Sequence, residues 1–273
     1  MRKPVSEFVT AAACALFLLA SLALGSSGCG KEERDYSKDL LAAATALSEE
    51  ESAHALVNAA VSPLEGESGM AVSVQGDAWI DLREPALEAR FTVLGMEISL
   101  RYTQGHAYLK VGGNWYSLSA EGMGVSEKLP SSLMGVVKAL PELLSASVSV
   151  DYLGERKVGS FDCAELEVYP DFKSLSEVEQ VGRLAEDLGL TPEELQEILS
   201  GSNLEMRVCI QKGKPVIRQV YVAADVSLSS FNEELGLGLL PEKGRLELTA
   251  EFPEYGVEVA VEAPPEARPF KGL

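Results

Sequence analysis

Positive charge, histidine and cysteine are scarce in this sequence, and each scarcity narrows what the chain can do. Of 273 residues, 23 are Lys or Arg and 42 are Asp or Glu, a formal net charge of −19. Such a surface repels phosphate backbones, which argues against nucleic acid as a partner. The plain use of the acidity is solubility. Only two histidines occur, His54 and His106, and both open strand-like runs. No G-x-S-x-G elbow, H-E-x-x-H, P-loop, C-x-x-C or glycine-rich dinucleotide motif is found. Acidic residues are plentiful, but they take alternate strand positions or helix surfaces, and nothing singles out a catalytic pair. Trp79 and Trp115 read as core or rim packing. No metal site or cofactor is implied. The missing catalytic set points to a binding protein, not an enzyme.

What is present begins at the N-terminus. Met1-Arg2-Lys3 is a basic start, Phe8 to Leu24 is an apolar run, and Gly25-Ser26-Ser27-Gly28 supplies small residues before Cys29. The run is short for a transmembrane helix and suits an export signal. It resembles a bacterial lipoprotein signal peptide with its lipobox, apart from Ser26, where leucine is preferred. That resemblance implies cleavage after residue 28, diacylation of Cys29 and anchoring on the extracytoplasmic side of the bacterial cell envelope. Residues 29–36 then form a tether, and 37–273 a single domain.

The domain is organised around Ala86 to Leu118. Leu87, Ala89, Phe91 and Val93 alternate with polar residues, and so do Met96, Ile98, Leu100 and Tyr102 after Gly95. His106–Val111 and Asn114–Leu118 follow, separated by Gly112-Gly113. Period-two alternation broken by glycine turns predicts an antiparallel meander with one apolar and one wet face. Before it, Ser37–Leu47 reads as a helix, Ser52–Val61 as a strand, and Met70 begins a strand that bends at Gly76. After it, Leu133 to Leu144 carries an apolar helical stripe interrupted by Pro141. Strands around Val150 and Leu166 meet at Gly159-Ser160, and capping boxes start helices near Ser174 and Thr191. A hairpin crosses Lys212-Gly213-Lys214. Arg245–Phe252 and Val257–Val261 are the closing strands. Helices inserted between strands of one long antiparallel sheet make an α+β fold.

Cys14 leaves with the signal and Cys29 carries lipid, so Cys163 and Cys209 remain. Cys163 shares its strand face with Glu165 and Glu167, and Cys209 shares its face with Glu205, Arg207 and Gln211. Both thiols are expected on the wet side of neighbouring strands, joined as a disulfide, the oxidised form suited to an extracytoplasmic compartment.

A lipobox, a short helix, Ser52-Ala53-His54, then Gly105-His106-Ala107-Tyr108-Leu109-Lys110 and Trp115-Tyr116-Ser117-Leu118 form an ordered set. With a valine-rich Val257–Val261 running into Ala263-Pro264-Pro265, this set resembles the LppX/LprG-type lipoproteins, relatives of the LolA/LolB fold. The resemblance implies a U-shaped antiparallel half β-barrel with helices covering the concave face. It also implies an acylated lipid or glycolipid held in the cavity. On that architecture Phe91, Val93, Met96, Ile98 and Leu100 line the cavity from the sheet. Leu133, Met134, Val137 and Leu140 line it from the covering helix. If the helices pack tightly instead, the chain is a non-enzymatic interaction or sensor lipoprotein with a filled core. No protein partner is legible.

Overall fold

The computed structural model describes residues 35–84, 86–118, 148–170, 179–187, 190–227 and 241–269. Three helices occur among them: α1 (Tyr36–Glu49), α2 (Glu179–Asp187) and α3 (Pro192–Gly201). The strands are β1 (Ser52–Pro63), β2 (Val72–Asp81), β3 (Ala86–Val93), β4 (Met96–Thr103), β5 (His106–Val111) and β6 (Asn114–Leu118). Then come β7 (Val148–Val158), β8 (Phe161–Pro170), β9 (Glu205–Gln211), β10 (Ile217–Ser227), β11 (Lys243–Tyr255) and β12 (Arg268–Pro269). They are hydrogen-bonded in the order β12-β6-β5-β4-β3-β2-β1-β11-β10-β9-β8-β7, an open sheet. It is mixed because β12 joins β6 in parallel. The chain divides into two compact units.

The first unit comprises the described parts of Glu50–Ser131 and Asp225–Leu273. Here β1 to β6 form the meander that the alternation predicts. Register is continuous across it, with Ala55 opposite Ala78, Ala78 opposite Ala89, and Ala89 opposite Leu100. The turns Leu94-Gly95, Gln104-Gly105 and Gly112-Gly113 all hold both central residues at positive φ. That is the geometry of two-residue type I′ hairpins, whose twist matches that of the flanking strands. β2 runs unbroken through Gly76, and a side chain there would strike β3. A Cβ at Gly76 would lie 2.0 Å from the Arg90 carbonyl oxygen and 2.7 Å from Cδ1 of Phe91.

The expected strand at Val257–Val261 is not a strand. After β11 the chain crosses the polar face of the meander as an extended strap. Gly256 donates its N–H to the Ser52 carbonyl (3.0 Å), and the Ser52 hydroxyl donates to Val257 O (2.6 Å). Thr103 Oγ1 donates to Val261 O (3.1 Å), and Arg101 Nη1 to Glu262 O (3.2 Å). Four extended residues span about 13 Å, close to the roughly 14 Å between β1 and β4. The strap therefore runs across the strands, and its carbonyls are met by side chains of the sheet instead of a ladder. Val257, Val259 and Val261 are half-buried while Glu258 and Glu262 are exposed. One consequence is that Ser52 and Thr103, expected on a wet face, are buried.

Asp81 closes the β2–β3 connection. Its Oδ1 accepts the Arg83 N–H (2.8 Å) and the Glu84 N–H (3.1 Å), and Arg83 Nη2 donates to Oδ2 (3.4 Å). Burial raises its pKa, yet these hydrogen bonds and the guanidinium outweigh burial, and the net shift is downward. A lowered folded pKa adds stability at any pH above the ordinary aspartate range. That stability is lost as pH falls through the lowered value. Acidification is expected to reduce the urea midpoint of the wild type more steeply than that of Asp81→Asn. At neutral pH the substitution should cost about 1–2 kcal/mol.

The second unit comprises the described parts of Ala13–Glu49 and Ser132–Ala224. α1 buries Leu40, Ala43 and Ala44, and Tyr36 at its start stacks on Tyr152 of β7 at 4.4 Å. α3 begins with the capping box read from the sequence. Glu194 donates its N–H to Thr191 Oγ1 (3.1 Å), and Thr191 returns its N–H to Glu194 Oε2 (2.9 Å). The expected start of a helix at Ser174 lies outside the described residues.

Cys163 and Cys209 do stand on one face of neighbouring strands, but that face is dry there. They are 0% and 1% exposed and pack with Val158 beneath Phe161. The Arg218 guanidinium lies 3.8 Å above the Phe161 ring and shields the cluster from water. The structure does not join the two as a disulfide. Cys163 faces Gln211 and Cys209 faces Glu165, so the two sulfurs are diagonal neighbours. Diagonal separations of about 7–8 Å exceed the Cα spacing a disulfide ordinarily spans. Burial pushes the Cys163 thiol pKa up.

Candidate functional site

The two faces of the meander differ in chemistry. On the apolar face, Ala55, Ala78 and Ala89 form a buried row of small side chains crossing three strands. Val57, Ile80, Leu87, Phe91, Leu100 and Phe252 pack around that row and stay only half-buried. Phe91 lies opposite Gly76 on one side and Ile98 on the other, and its ring occupies the space a residue-76 side chain would need. A floor of alanine and glycine thus lies beneath larger, half-buried hydrophobics on this face.

All five sheet residues expected to line a cavity share this face. Register places Val93 beside Val74 and Met96, Ile98 beside Val111, and Leu100 beside Leu109. Met96 is exposed at the strand end, and the others are half-buried. Leu133, Met134, Val137 and Leu140 lie outside the described residues. The alanine row was not singled out from the sequence. Its signal was present in the alternation of β1 to β3, where the inward positions fall to alanine across three consecutive strands.

The polar face carries a ladder of cations and rings. His54 stacks on Trp79 (5.0 Å between ring centres) and bonds Asp77 through Nε2 (3.1 Å). Arg90 covers Trp79 at 5.3 Å, and Arg101 and Lys110 cover Trp115 at 4.9 and 5.9 Å. Glu88 joins the two systems by pairing with both Arg90 and Arg101. His54 is thus half-buried and engaged, whereas His106 is exposed and bonded to Gln104 O. These contacts tie neighbouring strands together and leave both tryptophans on the face opposite the alanine row. Among the described residues no group of three or more His, Cys, Asp or Glu side chains could hold a metal ion. No helix among them is long and apolar enough to cross a membrane.

Comparison with solved structures finds likenesses of low sequence identity. The chain is similar to the lipoprotein LppX of Mycobacterium tuberculosis, with 14% identity over 83% of this chain and 97% of that one, at a TM-score of 0.48. It is similar also to LprF of Mycobacterium bovis, with 13% identity over 84% and 96% and the same TM-score. A LolA superfamily protein of Nitrosomonas europaea matches at 6% identity over 82% and 93%, with a TM-score of 0.26. No family model matches the chain. No curated protein matches it.

Proposed function

We propose that this protein is an envelope lipoprotein that holds the acyl chains of a lipid or glycolipid against the apolar face of β1 to β6, as a carrier or chaperone and not as an enzyme. The observation that carries this reading is the alanine row of Ala55, Ala78 and Ala89 under half-buried Ile80, Leu87, Phe91 and Leu100. Flexible chains fit such a surface, and each methylene buried there contributes about 0.8 kcal/mol. In this reading the sheet curves as a half-barrel. The helical segment with Leu133, Met134, Val137 and Leu140 covers its concave side, and residues 37–273 act as one domain. A diacylated Cys29 holds the protein at the membrane, two chains being what stable anchoring requires.

Mass spectrometry tests both parts. The exported chain should start at Cys29 with a diacylglyceryl mass added, and Cys29→Ala should abolish it. Every described element starts at or after residue 35, so the chain from Gly30 onward keeps them all. That soluble form, sprayed under native conditions, should carry an extractable acylated lipid. Absence of bound lipid, even after incubation with diacyl and triacyl lipids, would favour a filled-core interaction lipoprotein.

A further inference from the structure

The three type I′ turns of the meander differ in one respect. Gln104-Gly105 and Gly112-Gly113 place polar or glycine residues at positive φ, as that geometry prefers. At the β3–β4 turn the first central residue is Leu94, with φ 49°, a conformation that bulky apolar residues rarely take. Leu94 gains no burial in return, for it is 60% exposed. Met96, next to the turn, is 56% exposed, and Met70, in the β1–β2 connection, is 49% exposed. Register sets these residues at one end of the meander, since Val74 of β2 pairs with Val93 of β3 and Val93 pairs with Met96.

We propose that this end, with Leu94 at its tip and Met96 and Met70 beside it, is a contact surface for a neutral lipid bilayer. Its purpose rests on the acyl-lipid reading above, while its geometry stands apart from that reading. Two further observations favour a bilayer. The tip continues without a break into the apolar face, because Val93 and Met96 lie on the same side of their strands as Phe91 and Ile98. An acyl chain leaving a membrane at the tip would therefore meet apolar surface throughout its path. The charged side chains at this end are Glu65, Glu67, Glu97 and Glu242 against Lys243, whose carbonyl accepts the Leu64 N–H (3.3 Å), a net acidic set. Together they oppose an anionic surface and leave a zwitterionic one as the match. Unbranched, polarisable methionines adapt to disordered chains better than branched residues do.

Vesicle flotation of the chain from Gly30 onward tests the proposal. Wild type should float with phosphatidylcholine vesicles and less with vesicles rich in phosphatidylglycerol. Leu94→Asn suits the left-handed turn, so thermal unfolding should stay level or rise while flotation falls roughly tenfold. Uptake of the same lipid from detergent micelles should be unchanged in the variant, which separates this proposal from the carrier reading. A protein that floats through Leu94 yet takes up no lipid would sink the carrier reading and keep the tip. Flotation unchanged in Leu94→Asn, or confined to anionic vesicles, would overturn the tip. So would a wild-type dimer that Leu94→Asn converts to monomer, which would make the patch an interface between two copies.

Discussion

Adding one methyl group at Gly76 is expected to destabilise the protein by about 3 kcal/mol or more, among the larger effects of a single substitution. The new Cβ would stand 2.0 Å from the Arg90 carbonyl oxygen, so the β2 and β3 backbones must part or Gly76 must twist. Neither is local. Asp77 pairs with Arg90 and Ala78 with Ala89 in the same ladder, so a shift at Gly76 spreads into the alanine row. Phe91 would also lose its seat, since its Cδ1 is 2.7 Å from the added carbon. The same methyl at Gly182 in α2 has opposite consequences. Among the described residues no atom lies within 4 Å of a Cβ there, and alanine in a helix gains about 0.5–1 kcal/mol over glycine. Urea unfolding of Gly76→Ala and Gly182→Ala should thus move in opposite directions. Equal and small shifts would show that β2 and β3 do not approach as closely as the structure has them.

Ile98→Glu is expected to lower lipid load more than tenfold while changing stability by only about 1–2 kcal/mol. Ile98 lies between Phe91 and Val111 on the apolar face and is half-buried, so a carboxylate there keeps part of its water while the face is empty. An acyl chain lying over it would strip that water and pay the transfer penalty of an unpaired charge, which exceeds what a few buried methylenes return. Gln75→Glu is the control, because Gln75 is exposed on the polar face and its load should match the wild type. Extracted lipid per mole of protein measures both. A filled core answers differently: Ile98→Glu would then unfold the chain, and no lipid would be found in either form.

The parts of the fold that were legible in the sequence are those written locally. Alternation of Leu87 to Val93 and of Met96 to Tyr102 sets the faces, glycine at 95, 105 and 112–113 sets the turns, and Thr191 with Glu194 sets the start of α3. Val257–Val261 was misread for a physical reason. An extended strap that half-buries every second residue, here Val257, Val259 and Val261, has the period of a strand, and only the absence of a backbone partner distinguishes them. Cys163 and Cys209 were assigned to a wet face by their charged strand neighbours. Phe161 and Arg218, one on the same strand and one on another, dry that face at one end, and local alternation cannot report such cover. The polar face as a whole was read as open, whereas the strap buries Ser52 and Thr103 from a distance of about two hundred residues in the first case and over one hundred and fifty in the second.

The most direct test of lipid held against the alanine row is photocross-linking with a diacyl lipid carrying a diazirine along one chain, followed by peptide mapping. Adducts are expected on β3 and β4, at Phe91, Ile98 and Leu100, and the polar-face residues Trp79 and Trp115 should remain unlabelled. Labelling spread over the polar face, or no adduct on the β1 to β6 peptides in a protein shown to be folded, would contradict the proposal that this face holds acyl chains.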